Sequence, residues 1–171
     1  MEITTVLLLV LVPLLVWRIY SRLKRTLGRQ HSQLWRHWAA AIAFPLMIGT
    51  LAIGARQDLL ALSCLGAGTI AGVWLGIWGI KLTRFENTDK GHFYTPNRHL
   101  GVAVPMLFIA RLLYRGLELY LISRQAIPAS AQDFTTSPLT VLVFGLLAGY
   151  YSAYGWGLVR WRQPTVKPGA N

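Results

Sequence analysis

Arg111, Arg115 and Glu118 are the residues best placed to do chemistry, because they interrupt the apolar stretch from Leu100 to Ile122. An ionised side chain near the middle of a bilayer costs about 3 kcal/mol on insertion scales, so it turns toward protein or water and takes a partner. The spacing i, i+4, i+7 puts all three on one face of a helix. One chemistry open to them is a polar pocket in which the guanidinium groups bind an anionic group, a lipid phosphate or a carboxylate, while Glu118 balances charge. The other is structural: an Arg115–Glu118 ion pair at i, i+3, with Arg111 bonded to backbone carbonyls freed at proline kinks. Arg111 lies nearest the middle of the run. Arg111, Arg115 and Glu118 are therefore the expected ligand-binding set.

The elements that must position these residues follow from composition. Of 171 residues, 54% are hydrophobic and seven are Trp, which is the composition of a membrane protein. Five runs approach the ~20 residues a membrane helix needs: residues 3–20, 38–55, 59–80, 100–122 and 139–159. The fold class is therefore expected to be all-α, a single polytopic domain over 1–171 built as an integral membrane bundle of five transmembrane helices. The first run begins Met1-Glu2 without a basic region and ends at Trp17-Arg18 without a small-residue cleavage site, so it is expected to stay as a helix. Bases crowd between the first two runs (Arg18, Arg22, Lys24, Arg25, Arg29, Arg36), between the third and fourth (Lys81, Arg84, Lys90, Arg98), and after the fifth (Arg160, Arg162, Lys167). The positive-inside rule makes those segments cytoplasmic, with the N-terminus outside, the C-terminus inside, and residence in a bacterial inner membrane. The net charge of +11 then faces anionic lipid at the cytoplasmic rim, and nucleic-acid binding is not expected without a soluble domain to display it. The aromatic and basic residues of the first loop suit a helix continuing into the headgroup region.

Other local signals complete the frame. Gly68, Gly72 and Gly76 recur every fourth residue in the third run, and Gly145, Gly149, Ala153 and Gly157 do so in the fifth. Such seams let helix backbones approach closely, either within the bundle or in a homo-oligomer through Gly68, Gly72, Gly76 or Gly145, Gly149. Pro13, Pro45 and Pro105 each remove a backbone hydrogen bond inside an apolar run. Ser137-Pro138 reads as an N-cap followed by a first helical residue, so the fifth helix starts there. In the cytoplasmic loop 81–99, Asp89-Lys90-Gly91 separates two strand-like segments, the signature of a small β-hairpin between helices three and four. An isolated hairpin is marginal in water and must lean on helices or lipid.

The run Lys81-x-Thr83-Arg84-Phe85-Glu86-x-x-Asp89, then Tyr94, then an apolar helix with Arg111 and Arg115, resembles the CcdC family. The specific part of the likeness is about Lys81 to Arg115, and the order of spans extends it over most of the chain. The resemblance implies a small bacterial multi-span membrane protein, of a family associated with cytochrome c biogenesis genes, with a non-catalytic accessory role. It points to Arg84, Phe85, Glu86 and Tyr94 in the hairpin and Arg111 in the fourth span.

The sequence also argues against several chemistries. The single cysteine, Cys64, cannot form an internal disulfide or a Cys-x-x-Cys relay. No nucleophile elbow, zincin motif or P-loop is present, and no acidic pair lies within a span, so no enzyme and no metal centre is expected. His31, His37, His92 and His99 all fall in the loops or at the rim, which leaves no axial ligands inside the bundle for haem, and no cofactor is expected. The competing function is a small oligomeric channel or transporter; five spans without an internal duplication disfavour a monomeric carrier. Purified protein is expected to show no Soret band, and its appearance in the absorption spectrum would overturn the haem-free assignment.

Overall fold

A computed structural model of the chain describes residues 13, 14, 16–22, 30, 31, 34–88, 91–124 and 137–162. The elements in order are a helix, α1, at 13–22 with residue 15 outside the described set; a short strand, β1, Gln30–His31; α2, Leu34–Gly54; α3, Leu59–Lys81; β2, Arg84–Thr88; β3, Gly91–Thr95; α4, Arg98–Arg124; and α5, Pro138–Arg162. Four of the helices, α2 to α5, are long and apolar enough to cross a membrane. The first expected span lies largely outside the described residues. The first loop differs from the helix expected of it, because Gln30–His31 forms a strand and α2 begins only at Leu34.

The helix ends sit where polar side chains can take up orphan backbone groups. Asp58 caps α3, its Oδ1 accepting from the amides of Leu60 at 3.0 Å and Ala61 at 3.1 Å. Asn97 does the same for α4, accepting from His99 at 2.9 Å. Both α2 and α4 run through their prolines, Pro45 and Pro105.

The core of the bundle is the contact between α3 and α5, the most extensive between any two described elements. Its cause is the pair of glycine seams. A Cβ added at Gly72 would collide with the carbonyl oxygen of Leu146 and stand 2.8 Å from the Tyr150 amide nitrogen. At Gly68 it would strike the backbone of Leu142, and at Gly76 it would lie 2.7 Å from the Tyr150 carbonyl. From the other side, Gly145 meets the Leu65 carbonyl at 2.7 Å and Gly149 the backbone of Thr69. Only hydrogen fits at these positions, so the two backbones touch directly, as small-residue seams allow. The order of contacts, 68 with 142 and 72 with 146, makes α3 parallel to α5. Trp38 against Trp156 and Phe44 against Tyr151 make α2 antiparallel to α5. Phe108 against Phe144 and Arg111 against Thr140 do the same for α4. Consecutive long helices thus alternate in direction, and α5 is the hub that α2, α3 and α4 all touch.

The loop between α3 and α4 forms the expected antiparallel hairpin, although its turn residues Asp89 and Lys90 lie outside the described set. It is joined by a strand the sequence did not announce: β1 pairs with β3, Gln30 opposite Tyr94 and His31 opposite Phe93, giving the sheet order β1-β3-β2.

Glycine at 72 should therefore be irreplaceable in a way that Gly66, on the same helix with nothing within 4 Å of its Cβ position, is not. Gly72→Ala is expected to destabilise the protein by about 1–3 kcal/mol through overpacking, and Gly66→Ala to be neutral or slightly stabilising. Unfolding in detergent measures both; equal behaviour of the two variants would refute the close α3–α5 contact.

Candidate functional site

Two regions carry the side chains of interest, the middle of α4 and the sheet end of the bundle. In α4, Arg111 reaches across to the start of α5. Its Nη2 donates to Ser137 Oγ at 2.6 Å and its Nε to Thr140 Oγ1 at 3.1 Å, and its guanidinium carbon lies 5.3 Å from the Tyr114 ring centroid, within cation–π range. Ser137 does stand at the N-cap of α5, and its carbonyl accepts from the Thr140 amide at 2.9 Å. The hydroxyl that an N-cap serine ordinarily turns to its own helix accepts from Arg111 instead. Arg111 thus meets hydroxyls of α5, where the structural reading of the sequence had it bonding carbonyls freed by proline.

Arg115 and Glu118 form the other half of that reading: Arg115 Nη1 donates to Glu118 Oε2 at 2.9 Å. The arginine is buried and the carboxylate is 40% exposed. The three residues therefore share α4 but divide into two arrangements. Arg115 and Glu118 neutralise each other, whereas among the described residues Arg111 has no carboxylate within ion-pair distance. Its two hydroxyl partners orient the guanidinium without cancelling its charge.

The position of Arg111 also differs from what the hydropathy of its own run suggests. It is midway along α4, yet it stands opposite the first turn of α5, so about 20 Å of α4 continues past that point at about 1.5 Å per residue. Beside it, α2, α4 and α5 line a half-open cavity of about 330 Å³. Met47 and Leu51 line it from α2, Phe108 from α4, and Thr140, Val141 and Phe144 from α5. Thr140 belongs to both features: it borders the cavity and accepts from Arg111. The partners Ser137 and Thr140, and the cavity itself, were not identifiable in the sequence as companions of Arg111. The one available signal was a Ser-Pro helix start followed by a threonine a turn later.

At the sheet end, the residues shared with the CcdC pattern divide by face. Phe85 and Tyr94 are cross-strand partners and point the same way, into the bundle. Phe85 lies against Trp161 of α5 with ring centroids 4.5 Å apart, and buried Tyr94 meets His37 of α2 edge-on at 5.4 Å. Arg84 and Glu86, one residue to either side of Phe85, are exposed. Thr83, just before β2, donates its hydroxyl proton to the Gly79 carbonyl at 2.8 Å, so in its 3.0 Å contact with Tyr154 Oη the tyrosine is the donor. The hairpin is fastened to α2 and α5 by these contacts. His99 lies exposed in the first turn of α4 and His37 is buried against Tyr94; the side chains of His31 and His92 lie outside the described set. Among the described residues no cluster of His, Cys, Asp and Glu could hold a metal ion.

Four helices long and apolar enough to cross a membrane, a small sheet packed on one end and a half-buried arginine beside an apolar cavity make an architecture compatible with a multi-pass membrane protein. Comparison with known proteins refines the class: the family model described as CcdC protein matches residues 3–163, and the chain belongs to that family. A relative from Bacillus subtilis (strain 168), Protein csk22, is 26% identical over 149 residues, covering 86% of this chain and 82% of the relative. No solved structure is a significant match.

The Thr83–Tyr154 contact gives a measurable prediction. Tyr154→Phe and Thr83→Val are each expected to cost about 1 kcal/mol of stability, and the double variant less than the sum of the two, as a shared hydrogen bond requires. Strict additivity in a double-mutant cycle would show that the bond contributes nothing.

Proposed function

We propose that this protein is a non-catalytic accessory protein of a bacterial inner membrane, with its N-terminus outside and its C-terminus cytoplasmic, that binds an anionic or lipid-like ligand, or a membrane partner presenting such a group, at Arg111. One observation carries the reading: Arg111 is held in place by Ser137 and Thr140 hydroxyls, while the nearest acidic residue on its helix face, Glu118, is taken by Arg115. A guanidinium oriented by neutral hydroxyl acceptors keeps its full charge for an incoming carboxylate or phosphate. Arg115 and Glu118 serve the site as a neutral pair that adds no competing charge. The CcdC membership and the four apolar helices are compatible with a membrane accessory role. The basic residues near the sheet, Arg84 and Arg98 among them, suit contact with anionic lipid at the cytoplasmic face. An oligomeric channel would need an interface other than the seam through Gly68, Gly72, Gly76, Gly145 and Gly149, which α3 and α5 fill against each other.

Arg111→Leu is expected to abolish the phenotype that deletion of the gene produces while the protein remains inserted and monodisperse in detergent. Complementation by Arg111→Leu at wild-type level would remove the site from consideration. Liposomes containing the protein are expected to show no ion or metabolite flux, and flux that Arg111→Leu eliminates would favour a channel or transporter.

A further inference from the structure

The proposal above leaves the ligand as any anion, but the cavity beside Arg111 narrows it. The cavity of about 330 Å³ opens between α2, α4 and α5, at the low end of the roughly 300–1,000 Å³ of ligand pockets. That is room for part of one hydrocarbon chain. Its walls are the aliphatic and aromatic side chains of Met47, Leu51, Phe108, Val141 and Phe144. Thr50 also borders it, but its hydroxyl is spent on the Met47 carbonyl of its own helix at 2.9 Å. Thr140 is the point where the apolar walls end, because its hydroxyl accepts from Arg111. A small apolar cavity with, at its rim, a cation that no described carboxylate pairs with complements a molecule with one apolar chain and one negative head. Neither half selects such a molecule alone: lipid tails outside are as apolar as the walls, so the charge at Arg111 must decide which chain is retained.

We propose, on the reading that Arg111 is an anion site, that the ligand is a single-chain anionic amphiphile, its chain in the cavity between α2, α4 and α5 and its carboxylate or phosphate head on Arg111. The chemistry common to both heads is an oxyanion able to accept from the guanidinium while the chain lies against Phe108 and Phe144. Met47, 47% exposed on α2, is the wall residue that can be enlarged with least disturbance to the α3–α5 core.

The full-length protein in phosphatidylcholine nanodiscs can be tested with a photoactivatable diazirine fatty acid and the matching fatty alcohol. The acid is expected to label peptides containing Met47–Leu51 or Thr140–Phe144 at saturation. Arg111→Gln should lower labelling by the acid about tenfold or more, the equivalent of a lost charged hydrogen bond, and leave the weaker labelling by the alcohol unchanged. Met47→Trp, with Leu51→Phe as a second filled variant, should lower labelling by both probes while each variant stays monodisperse. Stronger competition by laurate than by dodecyl phosphate assigns a carboxylate head and the reverse a phosphate head, both within the proposal; competition by neither overturns it. Acid labelling that both filled variants leave intact but Arg111→Gln removes refutes the chain site and keeps the anion site. Acid labelling indifferent to Arg111→Gln refutes both.

Discussion

The backbone contact between α3 and α5 is the constraint on which the rest of the structure depends. Gly68, Gly72 and Gly76 on one helix and Gly145 and Gly149 on the other leave the seam lined mainly by backbone, and the helices close until carbonyl and amide groups meet. Between helices in lipid, dispersion contact and packing carry the association because the hydrophobic effect supplies little. Such forces fall off steeply with a fraction of an ångström of separation. A methyl group at the tightest of these positions has nowhere to go, since what it meets is backbone and not the end of a flexible side chain.

Fixing α5 against α3 fixes what α5 presents elsewhere. Its first turn, Ser137 to Thr140, is brought level with the middle of α4, where Arg111 meets it. Its middle face offers Tyr151 to Phe44 of α2 and Phe144 to Phe108 of α4, and the space left between those two neighbours is the cavity. Its last turns present Tyr154 and Trp161 to the sheet. A hairpin that would be marginal alone is supported by the Thr83–Tyr154 hydrogen bond at its entry, the Phe85–Trp161 and Tyr94–His37 ring contacts, and a third strand contributed from ahead of α2.

Charge is distributed along α4 by the same geometry. Arg115 and Glu118 need only helical spacing to find each other, so their pair is local and depends on no other element. Arg111 is different, because its partners come from 26 and 29 residues away in sequence. They are hydroxyls, which hold the guanidinium without neutralising it. Among the described residues, then, two arginines one turn apart on one helix differ electrostatically: Arg115 pairs with a carboxylate and Arg111 with hydroxyls.

The sequence by itself determined the four long apolar helices α2 to α5, their approximate bounds, the hairpin, the glycine seams and the membership of the CcdC family, because each of these is written in local periodicity, hydropathy or a contiguous motif. It also determined that Arg115 and Glu118 could pair, for the same local reason. Only the tertiary structure decided that the two seams face each other inside one chain, that Gln30–His31 adds a strand to the hairpin, that Phe85 and Tyr94 turn inward while Arg84 and Glu86 are exposed, and that Arg111 ends on Ser137 and Thr140 beside an apolar chamber. Those facts depend on which helix lies next to which and at what height. Helical periodicity specifies the face a residue occupies, but the identity of the neighbour across that face comes from how all the helices pack at once.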